Sequence, residues 1–366
     1  PDTRISGWNL LGRVTTPLGT PDRSWRTQLY YDHVERVIPR QFGERRNTLD
    51  LDSQVNTVWG AAHTHNFVTG VNVRLSDDNT ADTGFTVFDP ASRRIAILSG
   101  FIQDEASLLD GRLGLSAGAK FEHHSSVGFE FQPSVRASWH PRRDQTLWAA
   151  VSRAVRTPTR LDDDIRFLNS DGQVVLQGNP DFRSEKVTAF ELGYRLHPNP
   201  RWSIDLSTYY NLYDELRSVE RPAAAPPILG NQLDGRTYGA ELAVVGQITP
   251  QWRVRGVYTE FRQHLALDPG STDLTGGRGE GNNPARTLGL SSQLDLGRAW
   301  EVDVNLRHSA ALPQPAVPAY TTVDVRLGWR FLPDWELSLV GRNLLDPQHR
   351  EFGTSTEVTR RFYGKI

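Results

Sequence analysis

Apolar and polar residues alternate with a period of two along most of this chain. That period belongs to a strand whose two faces meet different surroundings. The clearest case lies in 145–196. Its outgoing run is Leu147-Trp148-Ala149-Ala150-Val151-Ser152-Arg153. A polar excursion follows from Arg156 through Leu161-Asp162-Asp163-Asp164 to Gly178-Asn179-Pro180-Asp181. The return run, from Thr188 to Leu196, is apolar at every second residue, and the tight turn His197-Pro198-Asn199-Pro200-Arg201 leads into Trp202. Strand, long loop, strand, short turn and boundary aromatic form a plan that the rest of the chain repeats.

Runs of this kind, bounded by turn residues, predict about seventeen strands. They cover 6–16, 24–36, 47–59, 63–75, 95–107, 113–124, 129–139, 145–155, 185–196, 202–216, 236–248, 252–263, 285–295, 300–309, 320–330, 335–344 and 358–366. Short connections fall at 17–23, 60–62, 108–112, 141–144, 197–201, 249–251, 296–299 and 331–334. Longer polar connections fall between them at 37–46, 76–94, 156–184, 218–235, 264–284, 310–319 and 345–357, with the brief 123–128 as the weakest member. Up-and-down barrels of an outer membrane alternate short periplasmic turns with long outer loops in this way.

Tryptophan supplies an independent check. Trp25, Trp59, Trp139, Trp148, Trp202, Trp252, Trp300, Trp329 and Trp335 all lie near short turns, and Trp8 alone does not. Indole favours a membrane boundary, where its ring meets lipid and its N–H meets a polar partner, so the nine read as a periplasmic-side girdle. Ordinary hairpin-end packing is the plainer alternative. Facing follows from the same alternation. Val302, Val304 and Leu306 oppose Glu301, Asp303, Asn305 and Arg307; Val323, Val325, Leu327 and Trp329 oppose Thr322, Asp324, Arg326 and Gly328. Ile204, Leu206, Tyr210 and Leu212 oppose Asp205, Tyr209, Asn211 and Tyr213. The second set is too charged for a sealed core and needs a wet lumen or a polar plug, hence a wide barrel.

Composition narrows the classes. The 366 residues are 37% hydrophobic, with mean hydropathy −0.49 and no run long enough for a membrane helix. The formal charge of −2, with acids and bases interspersed, does not call for a nucleic-acid partner. Cys and Met are both absent, so there is no disulfide framework or thiolate site; with no signal-peptide pattern, the chain reads as a mature fragment.

Several stretches resemble, in order, the barrel of a TonB-dependent outer-membrane receptor. They are Ser99-Gly100-Phe101-Ile102-Gln103-Asp104-Glu105, Ala150-Val151-Ser152-Arg153-Ala154-Val155-Arg156-Thr157-Pro158, Gly178-Asn179-Pro180-Asp181 with Ser184-Glu185-Lys186, Tyr238-Gly239-Ala240-Glu241-Leu242, and Asn343-Leu344-Leu345-Asp346. The resemblance implies an all-β, transmembrane, antiparallel up-and-down barrel of twenty-two strands around an N-terminal plug. Against it, the plug and its TonB-contacting segment are missing, some five barrel strands are expected upstream, and the end at Phe362-Tyr363-Gly364-Lys365-Ile366 reads as clipped. It further implies a monomer in outer-membrane lipid that takes up a scarce bulky ligand, a ferric siderophore or cobalamin, energised by the TonB complex through the plug.

The family's ligands are held by outer loops and the upper lumen wall. The candidates here are Arg156, Asp162, Asp163, Asp164, Arg166 and Phe167 in the 156–184 loop, and Tyr209, Tyr213 and Tyr258 toward the outer ends of their strands. The three adjacent carboxylates suit Ca²⁺ or a polar ligand, but they lack EF-hand spacing, and a solvated acidic loop is the plainer reading. The tyrosines suit stacking on a flat ligand, or rim packing. His63-Thr64-His65 puts two imidazoles on one strand face beside a short turn, away from the mouth, whereas His123 and His124 point to opposite faces. The Gly-rich 276–281 lacks a following phosphate-loop Lys-Ser/Thr and reads as flexible. The competing classes are a passive porin, an outer-membrane hydrolase and a soluble all-β binding protein. The hydrolase needs a nucleophile paired with His on one face, and no such arrangement stands out, so the chain is expected not to be an enzyme.

Overall fold

The computed structural model describes residues 2–39, 41–60, 64–82, 84–353 and 356–366. The ladder begins with β1 (Arg4–Leu18), β2 (Thr20–Ile38), β3 (Phe42–Trp59) and β4 (Thr64–Ala81). After the three-residue β5 (Thr86–Phe88) come β6 (Ser92–Leu108), β7 (Leu113–His124), β8 (Gly128–Arg142) and β9 (Gln145–Arg156). The next connection holds one helical turn, α1 (Arg160–Asp164), with β10 (Ile165–Leu168) and β11 (Val174–Gln177). The wall resumes with β12 (Glu185–Asn199), β13 (Trp202–Glu220), β14 (Ile228–Thr249), β15 (Trp252–Leu267) and β16 (Arg286–Leu296). It continues with β17 (Trp300–Ser309), β18 (Tyr320–Leu332) and β19 (Trp335–Arg342). A hairpin of β20 (Gln348–Arg350) and β21 (Glu357–Thr359) precedes β22 (Arg361–Lys365), which pairs with β19.

Among the described residues twenty strands share one sheet. Three of them, β5, β10 and β11, are short loop strands, so seventeen build the wall, one for each run read from the sequence. Every wall pairing is antiparallel between neighbours along the chain, the topology of an up-and-down meander. Among the described residues β1 pairs only with β2, and β22 only with β19.

The burial pattern is inverted relative to a soluble protein. The buried hydrophobic residues are Ala150, Ile165, Phe182, Leu229, Leu233 and Val317, and buried polar or charged residues outnumber them. Meanwhile Leu98, Val135, Leu192 and many other large apolar side chains are more than half exposed. Such a surface is stable only against hydrocarbon.

Register carries the two faces around the sheet. Asp303 lies opposite Arg326, and Arg326 bonds Asp303 at 2.9 Å and Glu301 at 3.1 Å, with Glu336 as a further partner. Arg330 adds a bond to Glu301 at 3.0 Å, and on distant strands Arg74 meets Asp50 at 2.7 Å and Arg195 meets Asp205. These ion pairs mark the lumen face, where water and partners offset desolvation.

On the opposite face Trp300 stacks on Trp329. Trp25 donates its indole N–H to Ser53 Oγ at 2.8 Å, and Trp252 donates to Ser292 Oγ at 2.9 Å. Eight of the nine turn-side tryptophans share this outward face. Trp148 is the exception and corrects the girdle. It pairs with Ser138 and Gly193 on the lumen face, and its ring covers Gly193, where a Cβ would overlap the indole. Trp8 joins a second ring at the loop side, 5.1 Å from Tyr31 and 6.0 Å from His33. Tyr210, Tyr238 and His264 stack in a matching ladder at about 6 Å spacing. From Trp25 to His33 is eight residues of β2, about 26 Å at ~3.3 Å per residue, close to the ~25 Å apolar band of such barrels.

The strands outrun the sequence reading at the loop side. β2 reaches Ile38, which pairs with Phe42 at the start of β3, so the ladder takes up most of the long loop expected at 37–46. Likewise β13 and β14 carry the ladder to Glu220 and back from Ile228 through the expected loop 218–235. At 22 residues β14 spans about 70 Å, far more than the ~30 Å hydrocarbon core. Above the membrane both strand faces meet water, so apolar alternation stops while the ladder continues.

Candidate functional site

The connection 157–184 does not hang in solvent. It folds against the lumen face of the wall and is held there by a buried charge network. Arg156 ends β9, Glu185 starts β12, and the two bond across the base of the loop. Arg156 also donates to Asp162 Oδ2 at 2.9 Å and lies 5.9 Å over the ring of buried Phe182. Asp162 Oδ2 accepts from both the backbone N–H and hydroxyl of Thr159, at 2.9 and 3.0 Å, which fixes the start of α1. Arg93 of β6 reaches Asp163 at 3.0 Å and Asp164 at 2.7 Å. Arg160 grips Asp164 at 2.9 Å and Asp78 of β4, with its guanidinium 5.2 Å over Phe88.

The backbone closes the knot. Gly178 N–H donates to Ile165 O at 2.7 Å and Asn179 N–H to Asp162 O at 2.8 Å. A side chain at Gly178 would overlap the Asp163 carbonyl, so the Gly-Asn-Pro stretch packs directly on α1. Asn231 of β14 accepts from Arg183 N at 2.8 Å and donates to the carbonyls of Arg183 and Glu215. β10 pairs with β5 on one side and β11 on the other, and β11 meets β14 at Gln177 and Ile228. An inner sheet thus bridges the rim from the 82–91 connection to β14.

Asp162, Asp163 and Asp164 are therefore neither solvated nor open to Ca²⁺: each is at most 6% exposed and engaged by arginine. Among the described residues no group of three acidic or His side chains is arranged to hold a metal. Burial raises Asp163, against the pull of Arg93, to about 6. Asp162 is equally desolvated, but its bonds from Arg156 and Thr159 prevail and hold it below the usual carboxylate range.

The remaining candidates separate by face. Arg166 is half exposed and paired with Asp89 at 2.6 Å. Phe167 lines a lumen-mouth cavity of about 440 Å³ with Arg36, Arg46, Phe42, Phe88 and Arg160. Tyr209 and Tyr213 face the lumen, Tyr209 lying over Gly239 and Tyr213 opposite Val187 at the loop base. Tyr258 does not join them. It sits between Leu242 and Leu288 on the outward face and donates to Glu260 at 2.6 Å, so it belongs to the loop-side aromatic ring. His65 faces outward, stacked on Trp59 and bonded to Asp104 at 2.8 Å, while His63 lies outside the described residues. His124 is buried on the lumen side, away from exposed His123. Gly277 caps a 3₁₀ turn over Arg278–Gly281, and Glu280 of that turn accepts from Leu265 N–H at 3.1 Å. The sequence reading did not single out Arg36, Arg46 or Arg93: Arg36 ends the run 24–36, and the runs 47–59 and 95–107 begin one and two residues after Arg46 and Arg93, although the alternation places all three on the lumen face.

The family model "TonB dependent receptor-like, beta-barrel" matches residues 5–344. The iron-regulated outer membrane virulence protein of Vibrio cholerae is 27% identical over 173 residues, 44% of this chain and 26% of that protein. The ferrienterobactin receptor of Escherichia coli is 27% identical over 135 residues, 34% of this chain and 17% of that protein. The siderophore receptors PirA of Pseudomonas aeruginosa and of Acinetobacter baumannii superpose with TM-scores of 0.73 and 0.76, at 16% and 14% identity. They cover 99% and 98% of this chain, which spans 64% and 62% of theirs. The chain thus spans about a quarter or less of the curated relatives it matches and under two thirds of these structures. With the inverted burial, the two aromatic rings and the charged lumen, this match is decisive: the chain is a bacterial outer-membrane barrel and belongs to the TonB-dependent receptor β-barrel family.

Proposed function

We propose that this barrel is the wall of a receptor that draws a ferric siderophore through the outer membrane, with energy delivered by TonB. The observation that carries this reading is the lumen-mouth cavity, where Arg36 stands among Phe42, Phe88 and Phe167, beside Arg46 paired with Glu44 and Arg160 paired with Asp78. Cations attract an anionic ferric chelate, and aromatic faces accept its flat aryl groups. The built loop 157–184 narrows the mouth so that a bulky ligand meets this wall before it descends. Relatives named for iron regulation and ferrienterobactin support the same ligand class. The receptor acts by binding and passage rather than by chemistry on the ligand.

The test is uptake. Cells expressing the complete outer-membrane protein should accumulate iron-55 supplied as ferric enterobactin, and should stop when TonB is deleted. Accumulation that survives TonB deletion and scales with external concentration is the behaviour of a porin and contradicts the reading.

A further inference from the structure

A second cavity lies on the lumen wall of β17, β18, β19 and β22, beneath the β20–β21 hairpin. At about 570 Å³ it is larger than the one at the mouth. Two of its lining residues, Arg342 and Arg361, are directly opposed in the β19–β22 register. Like charges facing each other across a ladder destabilise it. Here no carboxylate relieves them: among the described residues neither arginine has an acidic partner, and Arg342 rests only on the Tyr363 ring at 5.6 Å. The nearby acids are committed elsewhere. Asp324 accepts from Asn343 N–H at 2.9 Å, Glu357 faces Arg350, and Glu351 is held by Arg307 and His349.

His349 is the second observation. Its side chain is 7% exposed, packed on Tyr320 with ring centroids 4.7 Å apart, and its Nε2 lies 2.9 Å from Glu351. The opposite nitrogen, Nδ1, is buried on the cavity wall without a partner. With Nε2–H given to the carboxylate, Nδ1 is an acceptor in want of a donor.

We propose that this cavity is an oxyanion subsite for a hydroxycarboxylate group. The carboxylate accepts from the Arg342 and Arg361 guanidiniums, whose planar forks suit it, and the hydroxyl donates to His349 Nδ1. On the uptake reading above, on which this assignment of ligand class rests, the imported chelate presents such a group to the wall between β17 and β22.

The test uses the complete outer-membrane protein in detergent, titrated by calorimetry with citrate and with ferric citrate, and in parallel with ferric enterobactin. Citrate should bind saturably. Arg342→Gln and Arg361→Gln should each weaken it about tenfold, the loss of one charge-assisted contact, and the lysine variants should recover part of it. Without ligand, the double glutamine variant should melt no lower than the parent, because a repulsion has been removed. Two results overturn the subsite. One is absence of citrate and ferric citrate binding; if ferric enterobactin still binds, the uptake reading stands alone. The other is a ligand-free double variant that melts several degrees lower, which would show that the arginines already hold a carboxylate of the protein.

Discussion

Arg160 of α1 forms a buried ion pair with Asp78 of β4, a residue 82 positions earlier in the chain. It joins the start of the longest connection to the lumen wall, and both side chains are about 5% exposed. Removing Asp78 leaves buried Arg160 bonded to Asp164 but costs the charged hydrogen bond to the wall, about 1.5–3 kcal/mol. In Asp78→Ala the loop 157–184 should detach while the ladder persists. Trypsin should then cut after Arg160 or Arg166 in protein that still runs as a heat-modifiable barrel. Unchanged resistance to trypsin would mean that the hydrogen bonds of Gly178, Asn179 and Asn231 suffice.

Asp163 makes the docking pH-dependent. Its carboxyl titrates near 6 in the folded loop, against ~3.9 when unfolded. A raised carboxyl pKa favours the protonated folded form, so the penalty is absent below pH ~4, grows between ~4 and ~6, and is complete above. Its ceiling is of order 2–3 kcal/mol. Hydrogen exchange across α1 should therefore slow as pH falls from 7 to 5 after correction for intrinsic rates. Asp163→Asn should abolish that dependence. Asp162, held low, opposes the trend only below pH ~4. Protection that weakens steadily from pH 7 to 5 would contradict the assignment.

The tyrosines separate lumen from lipid. Tyr209→Ala and Tyr213→Ala remove lumen-facing rings and should weaken ferric-chelate binding about 3- to 10-fold each, the ~0.5–1.5 kcal/mol of an aromatic contact. Tyr258→Ala removes an outward ring and should leave affinity unchanged. Equal effects at all three positions would count against the facing derived from register.

Tryptophan fluorescence tests that facing directly. In bilayers of brominated lipid, emission from Trp202, Trp252, Trp300 and Trp329 should be quenched, since these rings stand on the outward face. The Trp148→Phe difference spectrum should show an unquenched indole, because Trp148 packs over Gly193 inside. Quenching of Trp148 would place it back in the girdle.

Much of the wall was legible because lipid imposes one rule on every strand, apolar outward, and short turns leave their tryptophans at one boundary. Where that rule lapses, sequence reading lapses with it. Within 37–46, Glu44, Arg45 and Arg46 lie on a continuous ladder opposite Arg36, Glu35 and Val34, and polar composition alone resembles a loop. Trp148 was misassigned because nearness to a turn does not fix parity; its neighbour Leu147, opposite Trp139, is the outward residue. The triple aspartate looked solvated because Arg93, which pairs with Asp163 and Asp164, and Asp78, which holds Arg160 beside them, are supplied by strands far away in sequence. What a local pattern cannot encode is a long-range ion pair, and the candidate site is built mainly from those.

The most direct test of the receptor account is a titration of the complete outer-membrane protein in detergent, following intrinsic tryptophan fluorescence as ferric siderophores, cobalamin and haem are added. The account expects saturable binding of a ferric siderophore, weakened by Tyr213→Ala. Binding of none of these ligands, with large single-channel conductance in a planar bilayer, would contradict it.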